Sequence, residues 1–211
     1  IAEDVPNRMK EFEALIERIH KAGLKVIIDF VPNHVARQYH SDAKPKGITD
    51  LGENDNTGLG FSPSNNFYYI PRQLFSPHID LGTGDNAYYE FPAKATGNDC
   101  FSAFPGNNDW YETVKLNYGI DYGNNSYHFE PIPDTWFKML HILRFWSAKG
   151  IDGFRCDMAH MVPIQFWNWA ITQVKDKYPD LIFIAEIYDT NLYRDYIFNG
   201  KFDYLYDKVN L

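Results

Sequence analysis

Three short stretches of this sequence end in groups able to do chemistry. GIDGFRCDMAH, residues 150–160, carries Arg155, Asp157 and His160; LIFIAE, residues 181–186, ends on Glu186; and IIDFVPNH, residues 27–34, carries Asp29, Asn33 and His34. Side chains of an extended strand alternate between faces, so Arg155 and Asp157 share one face and Cys156 takes the other. Burying either charge alone is costly, so the pair is either an inert ion bridge or a carboxylate held ionised for reaction. Taken singly, each group also has a bland role open to it. Asp29 can accept backbone hydrogen bonds, His34 can be a satisfied core histidine, and Asp157 can simply balance Arg155.

Two carboxyls at the ends of neighbouring parallel strands, about 4.8 Å apart, define something narrower. A displacement at a sugar's anomeric carbon with retention needs such a pair, typically about 5 to 5.5 Å apart, one attacking and one protonating the leaving oxygen. On this view Arg155 favours the charged form of Asp157, while the apolar strand leading into Glu186 raises that carboxyl's pKa.

The elements that must hold these groups follow from periodicity. Residues 8–22 place Met9, Phe12, Leu15, Ile16 and Ile19 at helical spacing, with Asn7 as N-cap and Gly23 as terminator. LKVIIDFV, residues 24–31, is a nearly continuous apolar run that suits a strand buried on both faces, ended by Pro32. A helix capped by Asp134 runs towards Gly150 with Trp136, Met139, Leu140 and Leu143 on one face, and a strand follows over 151–156. Pro163 starts a third helix carrying Ile164, Trp167, Ile171 and Val174; Pro179 stops it before the strand LIFIAE. NLYRDYIFNG, residues 191–200, reads as a short helix and FDYLYD, residues 202–207, as a fourth strand. Such alternation is the mark of a parallel α/β sheet, and polar groups at strand C-termini without a glycine-rich phosphate turn favour a (β/α)8 barrel of the TIM type. Residues 35–132 break the pattern with Gly, Asn, Asp, Ser and Pro among aromatic clusters, and are expected to form an inserted subdomain of irregular β structure.

DFVPNH at 29–34, GFRCD at 153–157 and the Glu186 that ends LIFIAE resemble, in order and spacing, three signature regions of the α-amylase family of glycoside hydrolases, family thirteen. The resemblance covers essentially the whole chain, implying a partial barrel of strands three to six in segments 1–34 and 133–211, with 35–132 as the family's inserted domain. It implies Asp157 as nucleophile, Glu186 as general acid/base and Arg155 as the residue orienting Asp157. It further implies His34 as a sugar contact, Asp29 and Asn33 as structural residues, and His160 and Met161 as neighbours of the next sugar, where many members carry Lys-His. VKLN, residues 114–117, is similar to a further family region in which calcium-dependent members place an Asp at the position of Lys115. An ammonium cannot ligate a cation, so no calcium or other cofactor is expected, and Lys115 is expected to reach towards Asn33.

Composition narrows the alternatives. A formal charge of -8 and no clustered Lys and Arg exclude a phosphate-binding surface for nucleic acid. No apolar run approaches the roughly 20 residues of a membrane span. The start lacks a signal-peptide layout, but it opens on Ile rather than Met, so the compartment is not assigned. Cys100 and Cys156 are expected to be free thiols, and most rings of the insert, Trp110, Tyr111 and Tyr118 among them, to pack a core rather than a sugar platform. With strands one, two, seven and eight and a third family carboxylate lacking sequence here, the chain is expected to be a piece of an enzyme. Alone it is expected to be inactive or nearly so and to associate through open barrel edges. Two rivals differ in class: a carbohydrate-binding homologue without catalysis, and a metal-dependent hydrolase using His34, Asp157 and His160; within the enzyme reading, a hydrolase on α-glucans, a transglycosylase and an isomerase share the same carboxylates.

Overall fold

The structure, a computed structural model, describes residues 5–41, 44, 46–82 and 87–206. It divides into two compact units, one of residues 1–31 with 139–211 and one of residues 32–138. In chain order the elements are α1 (Arg8–Lys21), β1 (Ile27–Phe30), β2 (His34–Ala36), β3 (Tyr69–Ile70), β4 (Ala93–Lys94), β5 (Thr113–Lys115), β6 (Ile120–Asp121) and β7 (Ser126–Tyr127). They continue with α2 (Asp134–Ser147), β8 (Gly153–Cys156), α3 (Ile164–Lys175), β9 (Ile182–Glu186), α4 (Tyr193–Phe198) and β10 (Tyr204–Tyr206).

The first unit is built on a parallel sheet in the order β1-β8-β9-β10. Its apolar layer is aromatic. Phe30, Phe154 and Phe183 lie on successive strands, the last two stacked at 5.4 Å, and Trp167 of α3 meets the edge of Phe30 at 6.2 Å and Phe202 at 4.8 Å. Helix α3 buries Phe166, Trp167, Ala170, Ile171 and Val174, the i, i+4 stripe that makes a helix lie flat on a sheet. Gly153 allows β8 and β9 to approach, since a Cβ there would stand 2.4 Å from the Ile182 carbonyl oxygen.

Several expectations shift in detail. β1 is not buried on both faces: Ile27 is 41% and Val31 39% exposed, because β1 is an edge with β8 as its only described strand neighbour. β10, the other edge, exposes Tyr204 and Tyr206; Asp207, included in the expected strand, lies outside the described residues. Asn7 stands in a 3-10 turn ahead of α1 without a side-chain capping bond, and Leu15 is exposed although Ile16 beside it is buried. Asp134 is the first residue of α2 rather than its cap.

Among its described residues the second unit holds three two-stranded antiparallel ladders, β2 with β5, β3 with β4, and β6 with β7, joined by long turns. Buried ionic groups organise it. Arg37 bonds Glu90 at 2.6 Å, lies 3.9 Å above the Phe75 ring, and donates to the carbonyls of Tyr111 and Thr113. Every N–H of such a guanidinium needs an acceptor when water is excluded, which ties four loop segments together. Cys100 and Cys156 are both free thiols. Among the described residues no helix is long and apolar enough to cross a membrane.

Candidate active site

Parallel register sets the site. Asp29 pairs with Arg155 across β1 and β8, Cys156 with Ala185 across β8 and β9, and Tyr206 with Glu186 across β9 and β10, so the functional groups lie level at the strand C-termini. The Asp157 amide continues the ladder by donating to Phe30 O at 2.9 Å. Arg155 stands at the centre. Its Nη1 donates to Asp29 Oδ1 at 2.9 Å and Asp157 Oδ1 at 2.8 Å, and its Nη2 meets Glu186 Oε1 at 2.5 Å. The Tyr206 ring lies 5.7 Å from the guanidinium carbon.

Glu186 is the most enclosed member, its side chain only 3% exposed against 22% for Asp157 and 55% for Asp29. Its Oε2 accepts the Met158 amide at 3.1 Å, and its Oε1 also accepts the hydroxyl of Tyr188. Met158 presents that amide from a left-handed backbone, φ 44, an uncommon conformation for a non-glycine residue. Sequence reasoning missed both partners. Tyr188 was legible in principle, since a residue two beyond Glu186 in extended chain shares its face; the Met158 turn had no sequence signal.

The electrostatics correct one expectation. Asp157 is pushed up, first by burial and then by its hydrogen bond to Glu186, which the Arg155 charge only partly offsets. Burial also acts to raise Glu186, but bonds from Tyr188, the Met158 amide, Asp157 and Arg155 outweigh it and hold that carboxyl below its ordinary value. The two carboxyls are thus shifted in directions opposite to the expected division. Both bond a single guanidinium, so the charge on one acts on the other. Arg155 itself is buried enough to lose charge stabilisation, yet its bonds to Asp29, Glu186 and Asp157 raise its pKa.

His160 lies in a 3-10 turn after β8, its ring edge-on to Tyr188 at 6.1 Å and its Nδ1 buried without a hydrogen-bond partner among the described residues. Met161 ends the same turn, half-buried. Asn33 and His34 belong to the second unit. Lys115, 2% exposed, donates to Asn33 Oδ1 at 2.9 Å and pairs with Asp99 at 2.5 Å, while Asn33 Nδ2 donates to Gly97 O at 2.7 Å. Burial pushes the Lys115 ammonium down, with Asp99 opposing. His34 meets the edge of Trp110 at 5.4 Å and is held below its usual pKa by burial and by Lys115. Of the insert's rings, Tyr118 is buried with its hydroxyl on Pro32 O, and Tyr111 packs against the cluster of Ile70, Phe75, Ala93 and Ala103. Among the described residues no three His, Cys, Asp or Glu side chains are placed to hold a metal ion.

An open parallel sheet with an acidic pair at its C-terminal edge defines an α/β enzyme of the barrel type. The profile of one family, the alpha amylase catalytic domain, matches residues 7–203, and the chain belongs to that family. It is 42% identical over 55 residues to an alpha-1,4-glucan:maltose-1-phosphate maltosyltransferase of Rhodospirillum rubrum, covering 26% of this chain and 8% of the relative. It is 28% identical over 163 residues to a cyclomaltodextrin glucanotransferase of Bacillus licheniformis, covering 76% of this chain and 18% of that one. The fold is similar to that of an alpha-amylase from Lactobacillus plantarum, with a TM-score of 0.50 at 24% identity over 89% of this chain and 30% of the other. The chain thus spans less than a fifth of the length of both curated relatives.

Proposed function

We propose that the protein carrying this chain cleaves α-glucosidic bonds in starch, maltodextrin or related oligosaccharides with retention, through a glycosyl ester on Asp157. The juxtaposition of Asp157 and Glu186 at adjoining strand ends, bridged by Arg155, carries this conclusion. In the first step an Asp157 oxygen bonds to the anomeric carbon as Glu186 gives its proton to the departing glycosidic oxygen. In the second, Glu186 takes a proton from water, whose oxygen displaces Asp157. The cycle starts with Asp157 charged and Glu186 protonated, and Arg155, bonded to both, stabilises whichever carboxyl is charged at each step.

On this assignment the chain supplies barrel strands three to six, with 35–132 as the family's inserted domain; His34, His160 and Met161 meet sugar, and Asp29 and Asn33 are structural. The chain alone is expected to be inactive or nearly so and to associate through the β1 and β10 edges. Calcium does not fit beside Asn33, because the Lys115 ammonium already holds Asn33 Oδ1. A second reading, glucosyl or maltosyl transfer, is favoured by the activities for which the two relatives are named and differs only in the acceptor of the second step. Product analysis on a panel of α-glucans separates them: hydrolysis yields reducing sugar of α configuration by proton NMR, and transfer yields longer chains. Products of β configuration, or none from the whole protein, would reject both.

A further inference from the structure

An acid/base carboxyl must alternate between a charged and a neutral form without losing its aim, and its partners decide whether it can. Besides Asp157, which bonds the sugar in the covalent step, Glu186 has three donors: the Met158 amide on Oε2, and Arg155 Nη2 and the Tyr188 hydroxyl on Oε1. Amide and guanidinium only donate, so each is satisfied by the carboxylate and meets a proton on its own acceptor oxygen unfavourably. A phenolic hydroxyl both donates and accepts, and by rotating its O–H it can receive a hydrogen bond from protonated Glu186. Among these partners Tyr188 is the one able to bond both forms.

We propose that Tyr188 is a positioning residue for Glu186, the two-way hydrogen-bond partner that keeps this carboxyl in place through both protonation states. The proposal rests on Glu186 being the acid/base, and adds a residue outside the three strand-end motifs. Its position supports it: Tyr188 lies two residues beyond Glu186, just past the end of β9 where the Ile187 amide still bonds Tyr206 O, and its ring is edge-on to His160. The charged and titratable groups facing this pair are Arg155 and Asp157 at the end of β8, Tyr206 on β10, and, through Arg155, Asp29 on β1. His160 contributes its ring edge from the turn after β8. Consistent with donation to a carboxylate, the Tyr188 phenol is pushed up to about 12 by its bond to Glu186.

The test is Tyr188→Phe, which keeps the ring and removes the oxygen. The Glu186 carboxyl carbon is followed by NMR through a pH titration of the 211-residue chain, and the pH–rate profile of the whole protein is measured beside it. Loss of one charge-assisted bond should raise the Glu186 titration by about one pH unit. As the general acid's deprotonation sets the alkaline limb of the rate profile, that limb should move up with it. In a second variant, Glu186→Gln, the Tyr188 phenol should fall from about 12 towards its ordinary value near 10 by ultraviolet titration. An unmoved Glu186 titration in Tyr188→Phe overturns the role of Tyr188 whatever the activity. A moved titration with an unmoved alkaline limb overturns instead the acid/base assignment of Glu186 on which the role rests.

Discussion

Replacing Arg155 by Met should destabilise the chain strongly near neutral pH and much less in acid. The magnitude follows from the exposure of the most open and the most enclosed of its partners, Asp29 and Glu186. Asp29 is 55% exposed, so water replaces the lost bond at a cost of about 0–1 kcal/mol. Glu186, 3% exposed, is left as a buried carboxylate whose remaining donors are Tyr188 and the Met158 amide. Breaking a buried pair from one side costs about 3–5 kcal/mol. Arg155 is 27% exposed and Met fills part of its volume, so the lower figure applies and about 3 kcal/mol is expected at pH 7. The sign with pH is fixed by Glu186, whose folded pKa lies below its ordinary value. That stabilisation is complete above the unfolded carboxyl's pKa of about 4.3 and disappears as pH falls through the lower folded value. Without Arg155 the carboxyl accepts a proton sooner, so the gap between wild type and Arg155→Met should narrow steadily below about pH 5. Urea unfolding followed by circular dichroism at pH 7 and pH 4 measures it. Equal losses at both pH values, or a gain in stability at pH 7, would refute the guanidinium's role as the counter-charge.

Three further perturbations probe other parts of the structure. Lys115→Met leaves the buried Asn33 Oδ1 without its donor and should cost about 1–3 kcal/mol, while a chelator should leave the wild-type melting temperature unchanged; a chelator-induced drop would show that a cation holds this unit. Gly153→Ala sets a Cβ 2.4 Å from the Ile182 carbonyl oxygen and should destabilise by about 3 kcal/mol or more, read from the denaturation midpoint; a loss below about 1 kcal/mol would show that β8 and β9 can part without penalty. A thiol reagent should modify Cys100 in the native chain and spare Cys156, which is fully enclosed and whose thiol burial pushes well up; mass spectrometry of the labelled peptide decides, and early modification of Cys156 would place β8 outside the core.

Much of this architecture was written in periodicity. The stripes of α1 and α3 and the apolar runs before Asp157 and Glu186 specify their elements because burial of those faces is what forms them. Where neighbours decide, the sequence was less legible. Ile27 and Val31 look like core residues, yet their exposure depends on β1 being an edge, a property of sheet order rather than of the run itself. The candidate site divides in the same way. Strand alternation put Arg155 and Asp157 on one face and neighbouring strand ends let Glu186 join them; the structure brings these three together and adds Asp29, which was read as structural. The direction of each carboxyl's shift was missed, since it turns on which groups reach it: Glu186 accepts from Arg155, from Tyr188 and from the left-handed turn at Met158.

The assignment of attacker and acid is tested most directly by trapping. The whole protein is incubated with a fluoroglycoside that forms its glycosyl ester faster than water removes it, and the labelled peptide is sequenced by mass spectrometry. A sugar bonded to the Asp157 carboxylate is the predicted result. A sugar on Glu186, or on any other residue, would contradict it.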